Sequence, residues 1–203
     1  MRAKQREQTR EQIVAAALTA LSELGFDGAS TRTIAELASV SQGLLTYHFK
    51  NKEELWRAAA DHLFALHDDW MERAIISPDK ADSRTRQREY IRRLVLFHAK
   101  HPEFTRFMAL YGKTDDVRSR WLADTHLART YAQVAEALED TPAADLPHAF
   151  YTLAAAAGAM FNAGPECERI TGIDPTSRAS VTRHADYLAR LMVPDAPAAA
   201  SDT

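Results

Sequence analysis

Apolar residues recur at every third or fourth position along most of this chain, and this spacing restricts its fold more than any other feature of the sequence. Residues spaced in this way share one face of an α-helix, and no convincing run shows the alternation expected of a half-buried strand. Glycines and prolines fall mainly where the apolar stripes stop, as at Gly25 and Pro142. The sequence therefore predicts an all-α protein of about nine helices.

Composition and charge define the broad class of protein. The chain has 203 residues, of which 46% are hydrophobic and 26% charged, and its net charge is −3. These values are typical of a globular protein. No stretch reaches the ~18 consecutive apolar residues of a membrane span, and the charged start of the sequence lacks the apolar segment of a secretory signal. A single cysteine, Cys167, excludes an internal disulfide, so a reducing cytoplasm is the expected compartment.

Positive charge is concentrated at the start of the chain. The first ten residues contain Arg2, Lys4, Arg6 and Arg10 against Glu7 alone. Such a segment could contact the phosphates of a nucleic acid, or it could be a frayed, solvated terminus. Charge alone favours a frayed, solvated terminus, but the sequence does not decide between the two interpretations.

Three short helices separated by tight turns are predicted over residues 8–50. The second and third are joined by only three or four residues, which is the spacing of a helix-turn-helix. Ile34, Leu45 and Phe49 would pack on the first helix. The outward positions of the third helix are Gln42, Gly43, Leu44, Thr46, Tyr47 and His48. Such groups suit a DNA surface, because amides read base edges and hydroxyls bind phosphates, but any small three-helix subdomain with a polar face would have the same spacing.

The run from residue 31 to residue 55 reads TRTIAELASVSQGLLTYHFKNKEEL. In it a threonine is followed by Ile-Ala, then Ala-x-Val-Ser, then Gly-x-Leu, then His-Phe and finally Lys-x-x-Leu. This run resembles the DNA-binding signature of the TetR family of bacterial transcriptional regulators. Two residues depart from that signature: Ser39 stands in place of a turn glycine, and Thr46 in place of a tyrosine that binds phosphate.

The resemblance implies a homodimer that binds double-stranded operator DNA and is released from it by a small-molecule effector. The residues implied to grip the DNA backbone are Thr31, Ser41, Gly43, Thr46, Tyr47, His48 and Lys52. Gln42 and Leu44 are the candidates for contacts with base edges. The predicted domains are a helix-turn-helix domain at residues 1–50 and an effector-binding and dimerisation domain at residues 51–193. The latter begins with a connecting helix at 51–76, and a disordered tail is predicted at 194–203.

The resemblance also implies an effector pocket and a helical dimer interface. Aromatic residues crowd the middle of the chain, and the candidates for the pocket are Phe97, Phe104, Met108, Trp121 and Tyr131. The last two predicted helices would meet their copies in a second subunit. The candidate interface residues are Phe150, Ala156, Phe161, Leu188 and Leu191.

Enzymatic and metal sites are not predicted, and no cofactor is expected. His98 and His101 lie three apart, but no carboxylate at a suitable spacing completes a metal site. Cys167 stands between glutamates, which oppose formation of a thiolate. Neither a glycine-rich phosphate loop nor a His-Glu-x-x-His motif occurs. The sequence therefore offers no catalytic residue.

Two alternatives follow from the same residues. Arg84, Arg88 and Arg92 are spaced four apart on a predicted helix and could attract an anionic ligand, although a hydrated face is the simpler explanation. The whole chain could also be a helical carrier or sensor of small molecules that does not bind DNA.

Overall fold

A computed structural model of the chain describes residues 2–73, 81–111 and 115–195, and the regular structure in these ranges is helical. The α-helices in chain order are α1 (Arg2–Gly28), α2 (Thr31–Leu37), α3 (Gln42–His48), α4 (Lys52–Glu72), α5 (Ser83–Lys100), α6 (Pro102–Tyr111), α7 (Val117–Leu122), α8 (Ala128–Ala137), α9 (Leu146–Asn162), α10 (Gly164–Thr171) and α11 (Arg178–Met192). A π-helical turn, Ala123–Leu127, joins α7 to α8. The prediction of an all-α fold is confirmed. Within these ranges, none of the helices combines the length and the apolar character needed to cross a membrane.

Some helix boundaries differ from those that the sequence predicts. α1 begins at Arg2, about six residues before the expected start, and it is kinked at Gly25, whose φ of 70° is not helical. Between α7 and α8 the α-helical geometry is interrupted by the π-helical turn, which holds about one extra residue per turn. Pro165 lies in the first turn of α10 and does not end a helix, because its missing N–H breaks no helical hydrogen bond there.

The chain divides into two compact units. The first contains Met1–Asp69 and His101–Ala128, and the second contains Trp70–Lys100 and Arg129–Thr203. The first unit is larger than the predicted DNA-binding domain of residues 1–50, because α6 packs against α1 and the Tyr111 hydroxyl donates to the Leu21 carbonyl oxygen at 3.4 Å. The end of the predicted connecting helix, residues 74–76, and residues 196–203 of the predicted tail lie outside the described residues.

Aromatic side chains fill the core of the first unit beside α1. Trp56 of α4 is fully buried, and the Phe107 ring stacks on it with 5.9 Å between centroids. Tyr111 and Trp121 meet the same indole edge-on at 5.3 and 5.5 Å. The α1 residues that complete this core are spaced as a helical stripe and are fully buried: Ile13, Ala17 and Leu21.

In the second unit, α5 packs against α9 and α11. Its core residues include Ile91, Val95, Leu153, Ala157, Leu188 and Ala189. The three arginines of α5 have hydrogen-bond partners within the chain. Arg84 and Arg88 donate to the carbonyl oxygens of Pro194 and Val193 at 2.9 and 2.8 Å, and Arg92 donates to Asp186 at 2.7 Å. They therefore bind α11 and the residues that follow it.

Candidate nucleic-acid interface

The turn between α2 and α3 is held by two serine caps and by α1. The Ser30 hydroxyl oxygen accepts from the Thr33 amide at 3.0 Å, and that of Ser41 accepts from the Leu44 amide at 3.1 Å. Such N-caps fix where a helix begins. The Gln12 side-chain amide donates to the Ala38 carbonyl oxygen at 2.8 Å and so fastens the turn to α1. Ser30 is therefore the N-cap of α2.

Ser39 adopts a backbone conformation that favours glycine. Its φ is 53°, and among the described non-glycine residues it is the one with a positive φ. The left-handed region brings Cβ close to a carbonyl oxygen and costs about 1–2 kcal/mol in a residue other than glycine. At Ser39, where the family signature has a turn glycine, the chain therefore carries a serine whose backbone is strained in a way that glycine would not be.

α3 presents one face to the core and the opposite face to solvent. Leu45 and Phe49 are 3% and 2% exposed and anchor the helix. The exposed positions are those predicted to face DNA: Gln42, Gly43, Leu44, Thr46 and Tyr47, with His48 partly exposed. Tyr47 is 67% exposed. The sequence pattern thus identified the outward face of this helix correctly.

Gly43 has no packing reason within this chain to be glycine. A Cβ added there would come no closer than 4.0 Å to another atom, the Ser41 hydroxyl oxygen. Gly43 also does not adopt a positive φ. An outward helical position at which only a hydrogen projects allows another molecule to approach the backbone closely.

The hydroxyl groups of the site differ in what they can still offer to a ligand. The Thr46 hydroxyl donates to the Gln42 carbonyl oxygen at 2.8 Å, so its proton is engaged within α3. A phosphate oxygen can only accept, and Thr46 cannot donate to one in this rotamer. The Ser41 hydroxyl accepts from the Leu44 amide and keeps its own proton for donation. Thr31, the first residue of α2, is partly exposed.

Lys52 begins α4, and the residues around it cap the start of this helix. The Asn51 side-chain oxygen accepts from the Glu54 amide at 2.8 Å, and the Glu54 carboxylate accepts from the Lys50 amide at 3.0 Å. This capping box uses an amide that would otherwise be free for phosphate. The Lys52 ammonium lies 4.5 Å from the ring centroid of Phe26, which holds it near the end of α1.

The basic start of α1 lies beside the C-terminal end of α3. The sequence alone does not decide the role of this segment. The Arg6 guanidinium is 5.6 Å from the ring centroid of Tyr47, and that of Arg10 is 5.3 Å from that of Phe49. The pKa of His48 is lowered from its ordinary value, first by partial burial and then by the positive charges of Arg6 and Arg10. Arg6 and Arg10 are four residues apart and in line with the buried stripe of α1. This spacing indicates from the sequence that both side chains lie on the side of α1 that faces the core.

The residues predicted to line an effector pocket are divided between the two units. Phe104, Met108 and Trp121 belong to the first unit, and Phe97 and Tyr131 to the second. Phe97 is fully buried and Phe104 is 8% exposed. The rings contact aromatic neighbours within each unit: Phe104 meets Phe64, Trp121 meets Trp56, Phe97 meets Trp70 and Tyr131 meets Phe150. The structure does not gather the five side chains around one cavity within either unit.

The residues predicted for a dimer interface divide into buried and accessible ones. Phe161 and Leu188 are 6% and 1% exposed and belong to the core of the second unit, so they offer almost no surface to a partner. Phe150 and Ala156 are partly buried, and Leu191 is 59% exposed. The helical period explains the difference, because the bulky face of α9 is the one that α5 and α11 cover. The exposed residues of α9 are Pro147, His148, Tyr151, Thr152, Ala154, Ala155, Ala159 and Asn162.

The histidines considered as metal ligands have other surroundings. His98 is 4% exposed, and the His101 ring nitrogen Nδ1 lies 2.9 Å from a Glu103 carboxylate oxygen. In the part of the chain that the structure describes, no three His, Cys, Asp or Glu side chains come together in a way that could hold a metal ion.

Residues 13–59 match the family described as bacterial regulatory proteins, tetR family. The chain is 30% identical over 109 residues to the HTH-type transcriptional repressor NicS of Pseudomonas putida, covering 54% of this chain and 50% of that protein. It is 41% identical over 76 residues to the HTH-type transcriptional regulator TtgR of the same species, covering 37% and 36%. Over 61 residues it is 41% identical to the Escherichia coli tetracycline repressor protein class D, covering 30% and 28%. The chain thus spans half or less of the length of these relatives.

Two solved structures extend the similarity in fold to most of the chain. A TetR-like transcriptional regulator from a Rhodococcus species superposes with a TM-score of 0.67 at 21% identity, over 92% of this chain and 93% of that one. The fatty acid degradation regulator FadR of Bacillus halodurans gives 0.68 at 15% identity, over 92% and 95%. At these identities the likeness concerns the fold alone. Residues 13–59, which contain the signature at 31–55 and the helix-turn-helix, thus match the tetR family of bacterial regulatory proteins.

Proposed function

We propose that this protein is a transcriptional regulator that binds double-stranded operator DNA through α3 and is released from it by a small-molecule effector. The observation that carries the proposal is the outward face of α3. Its polar and small residues are exposed on a helix that Leu45 and Phe49 anchor to the core. A short helix held in this way, at the second position of a helix-turn-helix, has the dimensions to enter a major groove.

Each exposed residue receives a role from its chemistry. Gln42 suits an adenine edge, because its amide both donates and accepts, and Leu44 suits a thymine methyl group. Gly43 lets the helix backbone approach the duplex. Residues proposed to contact phosphates are Thr31, Ser41, Tyr47, His48 and Lys52, and Thr46 joins them only if its hydroxyl leaves the Gln42 carbonyl oxygen.

We propose that the assembly is a homodimer formed through α9 and α11. Tyr151 and Tyr187 are 72% and 59% exposed, and Leu191 is 59% exposed. Beside them, Ala155 and Ala159 leave a low surface on α9 to which another helix could approach closely. Of the predicted interface residues, the proposed interface therefore keeps Phe150, Ala156 and Leu191. The exposed Tyr151 and Tyr187 take the place of the buried Phe161 and Leu188. A two-fold dimer would present two copies of α3 to half-sites about 34 Å apart.

Effector release requires a ligand that favours a state unable to bind the operator. Coupling of this kind typically amounts to about 1–3 kcal/mol. The candidates for the effector site are Phe104, Met108 and Trp121 in the first unit and Phe97 and Tyr131 in the second. NicS and the tetracycline repressor are named repressors, and repression by occupying the operator is the proposed mode here.

Selection of bound fragments from genomic DNA tests the proposal. The protein should retain a small set of fragments that share a pseudo-palindromic sequence. Its affinity for such a fragment should fall steeply as salt rises, because each phosphate contact releases counterions. Failure to bind any duplex at low salt would reject DNA binding and favour the helical carrier.

A further inference from the structure

We infer that the first turns of α1 form a second DNA-binding surface, a strip of Arg2, Arg6 and Arg10 that contacts the phosphate backbone beside the end of α3. The inference rests on the proposed function. None of the three residues lies within the family match at residues 13–59, and none belongs to the signature on which the proposed contacts of α2, α3 and α4 are based.

The strip follows from helical geometry. At 100° per residue, positions four apart stand nearly above one another, so Arg2, Arg6 and Arg10 form one row. Because α1 is helical from Arg2 onward, the row is continued by Ile13 and Ala17, which are fully buried. The face of α1 that packs into the core therefore runs on, beyond the core, as a line of arginines.

Contacts with aromatic rings place this line of arginines beside the end of α3. Arg6 lies over the ring of Tyr47 and Arg10 over that of Phe49, at 5.6 and 5.3 Å from the centroids. Both arginines are exposed despite these contacts, so their guanidinium groups remain accessible to an anion. Tyr47 and His48 next to them are already proposed to contact phosphates, and the strip extends that surface by about 12 Å along α1.

The chemistry of the partner follows from the charge. Three guanidinium groups in a row, each with a planar fork of donors, match the oxygens of successive phosphates better than they match base edges. One of the two adjacent rows of α1 carries Glu7 and Glu11, whose carboxylates would repel a duplex on that side of the arginine row. The strip should therefore strengthen binding without altering sequence preference.

Lys4 supplies a matched control. It stands about 160° from Arg6 around the helix, is exposed, and carries the same charge. The experiment compares wild-type protein, Arg6→Gln and Lys4→Gln on the duplex fragment that the wild-type protein selects. Affinity is measured at several salt concentrations, and sequence preference is measured on a panel of single-base variants of that duplex.

We expect Arg6→Gln to weaken binding to every duplex in the panel by a similar factor. It should also reduce the slope of log affinity against log salt by about 0.9 for each phosphate that is no longer neutralised, whereas Lys4→Gln leaves the slope unchanged. An unchanged slope in Arg6→Gln, or equal reductions in both variants, would overturn the inference while the proposed function stands. Wild-type protein that binds no duplex would instead overturn the proposed function and the inference with it.

A second readout does not involve DNA. If Arg6 lies beside α3 in solution, Arg6→Gln should raise the His48 pKa, because a nearby positive charge is removed. Lys4→Gln should leave the same NMR titration unchanged. No movement of the His48 titration in Arg6→Gln would show that the strip does not lie against α3, which also overturns the inference.

Discussion

The Arg118 guanidinium lies over the Phe26 ring, 3.4 Å from its centroid. On the same ring is the Lys52 ammonium at 4.5 Å, and Arg118 also donates to the Glu53 carboxylate at 3.0 Å. One phenyl ring thus joins the end of α1, the start of α4 and the start of α7 within the first unit. Aromatic rings attract cations through their electron-rich faces, and partial burial strengthens the attraction.

Arg118→Gln should lower the free energy of unfolding by roughly 1 kcal/mol, since it removes one of the two cations over Phe26 and one of the two arginines paired with Glu53. Arg120→Gln is the control on the same helix, because Arg120 is 64% exposed and pairs with exposed Asp115. Urea unfolding of both variants provides the measurement. Equal stabilities would mean that the Phe26 contact contributes nothing.

Gly43→Ala should separate stability from DNA binding. The added methyl group meets no atom closer than 4.0 Å within the chain, and alanine favours a helix over glycine by up to about 1 kcal/mol. Thermal unfolding should therefore occur at the same or a slightly higher temperature, while affinity for the selected duplex falls at least about tenfold. Retained affinity would show that the duplex does not approach the α3 backbone at this position.

Ser39→Gly should stabilise the protein by up to about 1 kcal/mol. The substitution removes the Cβ from a residue with a φ of 53°, and the gain is offset in part by the greater freedom of glycine in the unfolded chain. Denaturant unfolding measures the change, and Ser41→Gly, which removes the α3 cap, should act in the opposite direction. A loss of stability in Ser39→Gly would contradict the strain assigned to the turn.

DNA binding should strengthen as pH falls from about 8 to about 6, the range in which histidine titrates. Partial burial, Arg6 and Arg10 hold the pKa of His48 below its ordinary value in the free protein, with Glu7 acting in the opposite direction. A phosphate beside His48 would raise that pKa, so complex formation would take up a proton. Affinity measured across this range should change less in His48→Gln, and an equal pH dependence in both proteins would exclude His48 as the group that titrates.

Gln42→Ala and Lys52→Ala should weaken DNA binding in different ways. Loss of the Gln42 amide should relax preference at one operator position and cost about 1–3 kcal/mol on the preferred sequence. Loss of the Lys52 charge should weaken all sequences alike and reduce the salt slope. Binding to a panel of single-base operator variants distinguishes the two patterns, and identical profiles would refute the division between base-reading and phosphate-binding residues.

The sequence alone determined the local parts of this protein. The spacing of Ile13, Ala17 and Leu21 identified the buried face of α1, and the positions of Leu45 and Phe49 left only one face of α3 for solvent. Such features are encoded within a few residues, because the helical period fixes which side chains share a face and capping residues fix where a helix begins. The outward residues of α3 could therefore be predicted from the order of the amino acids.

Only the tertiary structure decided which face of each helix meets which neighbour. It placed Phe161 and Leu188 in the core of the second unit and divided the candidate effector residues between two units. It also turned Arg88 toward the carbonyl oxygen of Val193, 105 residues away in the chain, and laid Arg6 over Tyr47. These contacts depend on how separate helices pack, and a periodic pattern within one helix carries no information about the partner that will cover it.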